Sequence, residues 1–179
     1  MPVLDTAALL HWPVERLQGG IVAHSQLEEL RKLSPQRAML LESIEMEWMT
    51  MGTGDAESAA SLSGDLPRLS PVDLEILAIA LATGQTLFTD DYSLQNVCRH
   101  LHHPFEAVSN KPSKEQWSWE LRCIGCRATK KVDSQNEQEC DVCGSVMKIK
   151  RARWLLFFEN FFNFFARSKH GSKDCRNPV

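Results

Sequence analysis

From Pro2 to Val108 the chain alternates short apolar runs with stretches whose apolar positions recur at helical spacing. Residues 2–5 read as a brief buried strand ending on the carboxylate of Asp5. Ser25 suits an N-cap for a helix through Leu27, Leu30 and Leu33, and Ser34-Pro35 opens another through Met39, Leu40 and Ile44. The Gly-, Ser- and Ala-rich stretch 50–69 predicts a loop holding one short helix over 55–62. At Ser70-Pro71 an N-cap is followed by proline at the first helical position; Leu74, Leu77, Ala78 and Leu81 then line one face, and Gly84 ends the helix. Residues 86–88 read as a strand, Thr89-Asp90-Asp91 as its carboxyl end, 92–101 as a helix and 104–108 as a last strand. Strands alternating with helices predict an α/β domain around a central parallel sheet, with functional residues beyond the carboxyl ends of the strands. That rule brings Asp5 together with Asp90 and Asp91.

The pattern stops at a polar linker, 111–116, containing Lys111-Pro112-Ser113-Lys114. A small module follows over 117–150. Beyond it, residues 154–167 carry six phenylalanines, with Glu159, Asn160, Asn163 and Arg167 forming one polar stripe of a helix. The expected division is 1–110, 111–116, 117–150 and 151–179, the last a Phe-rich helix and tail that packs against its own chain. Few basic residues interleave with the phenylalanines, which argues against a membrane surface.

Composition narrows the class without naming a function. With 43% hydrophobic and 24% charged residues among 179, the chain is of ordinary globular make-up, not collagen-like, disordered or membrane-embedded. No apolar run reaches the ~18 residues that cross a bilayer, and Met1 to Asp5 holds neither a basic patch nor an apolar stretch, so a cytoplasmic protein is expected. Charge is more informative. Residues 1–116 hold 8 Lys/Arg against 16 Asp/Glu, whereas 117–179 hold 12 against 7. A basic rear segment is the usual footprint of nucleic-acid binding. An acidic front half opposes a polyanion unless its carboxylates hold cations.

Cys123-Ile-Gly-Cys126 and Cys140-Asp-Val-Cys143 form two C-x2-C knuckles separated by thirteen residues. Each knuckle sets two sulfurs on one side of a cation, so the four predict a closed tetrahedral Zn2+ site of structural kind. Gly144 permits the turn after the second knuckle. Lys130, Lys131, Lys148, Lys150, Arg151 and Arg153 are candidate phosphate contacts. Trp117 and Trp119 either stack on bases or, the favoured reading, fill the core of so small a module. Cys98 reads as a core residue, Cys175 as part of the tail.

Asp5, Glu29, Asp73, Asp90 and Asp91 come from separate segments, each at an element's end. Carboxylates converging on one cleft repel one another unless cations neutralise them, and oxygen donors suit Mg2+ or Mn2+. Such a site can activate water and clamp a phosphodiester. Haloacid-dehalogenase chemistry is excluded, because the second aspartate it needs is Ala7.

Val3-Leu4-Asp5-Thr6, Leu27-Glu28-Glu29-Leu30, Gly64-Asp65 with Leu69-Ser70-Pro71-Val72-Asp73, and Thr89-Asp90-Asp91-Tyr92-Ser93-Leu94-Gln95-Asn96 resemble PIN-domain ribonuclease motifs. Followed by two zinc knuckles, they resemble the NOB-type endoribonucleases that mature the 3′ end of small-subunit ribosomal RNA. The resemblance implies a PIN-like α/β/α domain with a zinc ribbon. It places the acids that hold one or two Mg2+ or Mn2+ ions at Asp5, Glu29, Asp73 and Asp91, with Asp90 in support. It implies precursor ribosomal RNA, the small subunit and assembly proteins as partners, and hydrolysis to 5′-phosphate and 3′-hydroxyl ends. Two other readings stay beside it: a non-catalytic RNA-binding scaffold, and a VapC-like toxin ribonuclease, which normally lacks the ribbon.

Overall fold

The computed structural model describes residues 1–109, 116–133 and 138–152. The Phe-rich helix, Cys175 and Arg153 lie outside them, as does most of the expected linker. No helix among the described residues is long and apolar enough to cross a membrane.

Strands β1 (Val3–Leu4), β2 (Ile21–Ala23), β3 (Glu47–Met49), β4 (Leu87–Phe88) and β5 (Phe105–Glu106) form one sheet in the order β3-β2-β1-β4-β5. Every pairing is parallel. Side chains alternate across a strand, so each strand feeds two cores. Val3, Ile21, Ala23 and Leu87 enter one, with α5 (Gly54–Ser63), α6 (Pro71–Thr83) and α7 (Tyr92–His100). Leu4 and Val22 enter the other, with α1 (Thr6–His11), α2 (Val14–Leu17), α3 (His24–Leu33) and α4 (Pro35–Glu42). This is the α/β/α sandwich of a PIN-like fold. The chain runs outward from β1 to the edge at β3, then returns through α5 and α6 to place β4 on the other side of β1. The crevice at this reversal, beyond Leu4 and Phe88, is where open parallel sheets bind ligands.

Helix α6 starts and stops as expected: Ser70 Oγ accepts from the Asp73 amide, and Gly84 closes the helix at φ 66°. Its burial is wider than one face, since Leu74 to Ala80 are all buried, the mark of a helix enclosed by neighbours. At α3 the expectation needs correcting. The helix starts at His24, so Ser25 is no cap; the Ala23 amide is satisfied instead by Gln26 Oε1 at 2.7 Å, while Gln26 Nε2 donates to the Leu4 carbonyl at 2.9 Å. Gln26 thus bridges β1 and β2 and satisfies the amide that precedes the helix, while no side chain caps the amides of its first turn. Helices α1 and α2 and strands β2 and β3 have no counterpart among the expected elements.

The second unit is an antiparallel sheet, β7-β6-β8, built from β6 (Trp119–Cys123), β7 (Thr129–Lys130) and β8 (Met147–Arg151). Leu121, Val132 and Met147 fill its core beside Cys123 and Cys140. Trp119 adjoins that core and also meets the first unit, where the Arg68 guanidinium lies 3.4 Å from its ring centroid. Asn96 of α7 grips the peptide group of Trp117, accepting from its amide at 2.8 Å and donating to its carbonyl at 2.7 Å. Gly64, the left-handed cap of α5 at φ 80°, permits the approach, for a Cβ there would come within 2.7 Å of Trp119 Cβ and its carbonyl oxygen. Gly64→Ala is therefore expected to cost at least about 2 kcal/mol in urea unfolding, from backbone strain plus a clash with main chain. A loss below about 0.5 kcal/mol, the range of neutral surface changes, would show that the two units are not held this closely.

Candidate active site

Three acids sit at helix N-termini around the crevice. Asp5 caps α1, its Oδ1 accepting from the Thr6 amide at 2.6 Å; Asp91 caps α7, accepting from the Ser93 amide at 2.7 Å. Asp73 lies in the first turn of α6 and accepts from the Ser70 amide at 2.8 Å. Unpaired amides and the helix dipole favour a carboxylate at each place. Thr89 joins two of them: its Oγ1 donates to Asp5 Oδ2 at 2.6 Å and accepts from the Asp91 amide at 3.0 Å. Thr6 Oγ1 donates to Glu29 Oε2 at 2.8 Å, drawing an acid of α3 to the same edge. Both hydroxyls donate to acids, because carboxylates withdrawn from water need donors. Glu28 is exposed and pairs with Arg31 at 3.1 Å. Asp90 turns the other way, accepting from the Val108 amide at 2.9 Å and the Ser109 hydroxyl at 2.5 Å at the end of β5.

The acids feel one another. Burial, with Asp5 only 6% exposed, raises its carboxyl to about 6; the Thr89 hydroxyl opposes this, and the charges of Asp73 and Asp91 add to it. Burial also raises Asp91, with Asp73 and Asp65 adding. Asp65 is the participant that sequence leaves unassigned. It is buried and raised by desolvation, and it accepts from Ser63 Oγ and Asn96 Nδ2, both at 2.6 Å. Its only sequence signal is its place beside Gly64. Hard oxygen donors whose charges repel are a donor set that fits a divalent cation.

A carboxyl raised in the folded state binds its proton more tightly there than in the unfolded chain. Without metal the protein therefore loses stability as pH rises from about 4 to about 6, by roughly 3 kcal/mol for Asp5 alone. Asp5→Asn is expected to raise the Tm of metal-free protein by several degrees at pH 7 and to leave it nearly unchanged at pH 3, where Asp5 is protonated in the folded and the unfolded chain alike. Equal Tm values at both pH values would remove burial as the cause.

The four cysteines of the ribbon meet as a metal site. Their sulfurs lie within 4.8 Å of one another, the one group of three or more candidate ligands so close among the described residues. The Gly125 and Cys126 amides donate to Cys123 Sγ at 3.3 and 3.4 Å. Hydrogen bonds from the side chain and backbone of Ser145 lower Cys143 to about 6, and those from the Val142 and Cys143 backbone lower Cys140. At about 6 the Cys143 thiol is a thiolate at neutral pH, the ligating form, while the neighbouring cysteine sulfurs push Cys126 up to about 12 in the absence of a cation. Gly144 takes φ 69° after the second knuckle, and Arg127 takes φ 63° at the same place after the first. Four thiolates at this spacing fit zinc and leave no open position. Cys98, apart from them, is fully buried and raised to about 12 by burial, so it is inert.

Of the candidate cations, Lys148 and Lys150 share an exposed face of β8, opposite Met147 and Ile149, which turn to the core. Lys130 and Lys131 are exposed on and beside β7, Lys130 lying 3.7 Å from Asp141. Arg151 lies over the Trp117 ring, 4.6 Å from its centroid.

No family model matches the chain. It is 33% identical to endoribonuclease Nob1 of Methanothermobacter thermautotrophicus over 162 residues, covering 84% of this chain and 93% of that protein. It is 32% identical to ribonuclease VapC1 of Thermoplasma acidophilum over 154 residues, 82% of this chain and 76% of that one. Endoribonuclease Nob1 of Methanocaldococcus jannaschii is 26% identical over 157 residues, 84% and 78% of the two chains. Matches of that reach extend across both the parallel-sheet unit and the four-cysteine unit, and in the Methanothermobacter protein they account for nearly the whole relative. The chain accordingly belongs to the Nob1 endoribonuclease family, and is an endoribonuclease with a PIN-like domain and a four-cysteine ribbon.

Proposed function

We propose that this endoribonuclease cuts precursor small-subunit ribosomal RNA at or near its mature 3′ end during ribosome assembly. In this reading residues 1–110 cleave and residues 117–150 seat the RNA. The observation that carries the chemistry is the Thr89 hydroxyl joining Asp5 to the Asp91 amide at the reversal of the sheet, with Asp73 near enough for its charge to act on both. These acids and Glu29 would hold one or two Mg2+ or Mn2+ ions, and Asp90 supports them by tying the loop after β4 to the segment that follows β5. Bound there, the metal supplies the positive charge and Lewis acidity that the phosphodiester and the attacking water need. The chain's own share is positional. Thr89 holds Asp5 and Asp91 in fixed relation, Thr6 holds Glu29, and the amides of three helix termini keep the carboxylates ionised when metal is present. No covalent nucleophile is required. Lys130, Lys131, Lys148, Lys150 and Arg151, with Arg153 beyond the described residues, contact phosphates, and the ribbon's zinc is structural.

A toxin-like role is the second reading, favoured by the VapC1 name of one relative, whose match must span this chain's four cysteines. One assay separates the two. Purified full-length protein is given RNA spanning the 3′ end of the small-subunit precursor and, in parallel, unrelated single-stranded RNA, each with Mn2+ or with EDTA. A single Mn2+-dependent cut at the mature end supports the ribosomal role; equal cutting of both RNAs sinks it and favours the toxin.

A further inference from the structure

A cavity of about 330 Å³ opens where the ribbon meets the first unit, walled by Tyr92, Trp117, Trp119, Arg68 and Asp65. We infer that it is a nucleobase pocket, receiving by stacking the base of a single-stranded RNA nucleotide next to the scissile phosphate. The inference rests on the endoribonuclease reading of the acids, because its position derives from them: Tyr92 and Ser93 follow Asp91 in the chain, the Ser93 amide donates to Asp91, and Asp65 acts electrostatically on Asp91.

Its walls have the chemistry of a stacking site. Tyr92 is 60% exposed and Trp117 37%, and both border the same space, with the Arg151 guanidinium over the Trp117 ring. Neither exposure is needed to hold the units together. Asn96 grips Trp117 by its peptide group, not its indole, and Tyr92 stands at the first position of α7, which is already capped by Asp91. The Arg68 guanidinium, 3.4 Å from the centroid of the Trp119 ring, brings a cation to the wall of the pocket, where a strand of phosphates needs one. The volume suits one planar ring system, at the small end of ligand pockets, and excludes a folded partner. Asn96 has its amide committed to Trp117 and Asp65, so it is not free to read a base edge. The pocket therefore takes any base and discriminates RNA with bases from a bare backbone.

Tyr92 is the sole tyrosine of the chain, so 3-fluorotyrosine labelling gives one fluorine NMR resonance, from the pocket itself. The test uses full-length Asp5→Asn protein, to prevent cleavage, and two probes: a ten-nucleotide oligouridine and an abasic ribose-phosphate chain of equal length and charge. Oligouridine is expected to shift the resonance and the abasic chain to leave it in place. Tyr92→Ala is expected to weaken oligouridine binding about tenfold, as loss of one base stack does, without changing binding of the abasic chain, and Tyr92→Phe to restore it. An equal shift with both probes, or oligouridine binding unchanged in Tyr92→Ala, overturns the proposal. Because neither probe is ribosomal and nothing is cut, a protein that shows this pattern yet leaves precursor RNA intact upholds the pocket and rejects the substrate reading alone.

Discussion

Asp91→Asn is expected to lower the rate of RNA cleavage by about a thousandfold or more while leaving the protein folded. The two halves of that statement have separate causes. Asparagine caps a helix as well as aspartate does, so the bond from the Ser93 amide that starts α7 persists. What disappears is one negative charge among Asp5, Asp73 and Asp65, which relieves the repulsion that raises Asp5. Metal-dependent charge stabilisation is worth several kcal/mol in the transition state, and each 1.36 kcal/mol is tenfold in rate. Asp73→Asn is expected to behave alike, its place in the capping box being open to an amide oxygen. Single-turnover cleavage beside a Tm measurement decides the matter: a variant that cuts at the parent rate removes Asp91 from the site.

Replacing Cys123 and Cys126 together by serine is expected to abolish bound zinc and unfold the ribbon. The folding energy of small zinc modules is largely metal-binding energy, about 10–16 kcal/mol for zinc-finger peptides at neutral pH, and this ribbon has few core residues of its own. The first unit keeps both of its cores. Far-ultraviolet circular dichroism should therefore retain its helical signal while Trp117 and Trp119 become fully wet and their emission moves to the red. Zinc content unchanged by the double substitution would refute the ligand assignment.

Much of this was legible in the residues, and what was not has physical reasons. Helix α6 announces itself because Ser70, Pro71 and Gly84 are chemistry that works locally, whatever surrounds the helix. The knuckles are equally local. Strand β2 is invisible by contrast: Ile21, Val22 and Ala23 are buried on both faces, so no alternation marks them, and three residues are too few to show a period. The start of α3 could not be read because Gln26 bonds across to the Leu4 carbonyl, a partner fixed only when β1 and β2 are side by side. Within the candidate site, Asp90 and Asp91 are indistinguishable in one dimension. They separate in space because Asp91 begins a helix while Asp90 faces the end of a neighbouring strand. Asp65, Asn96 and Trp119 carry no shared signature, since their meeting depends on two units docking.

The grip of Asn96 on the peptide group of Trp117 has a consequence for how freely the ribbon can be rebuilt. Amide and carbonyl are common to nineteen of the twenty amino acids, proline alone lacking the N–H. A socket that reads only main chain is blind to the letter at that position. Gly64 reads the ribbon in nearly the same way, through the Cβ and carbonyl of Trp119. A foreign ribbon grafted after the first unit would find these main-chain bonds as readily as this one, provided that it kept an aromatic ring for Arg68 at the place of Trp119. The indole at 117, packed edge-on against Trp119 with Arg151 over its ring, is thus answerable to the ribbon's own side chains and not to the socket that holds its main chain.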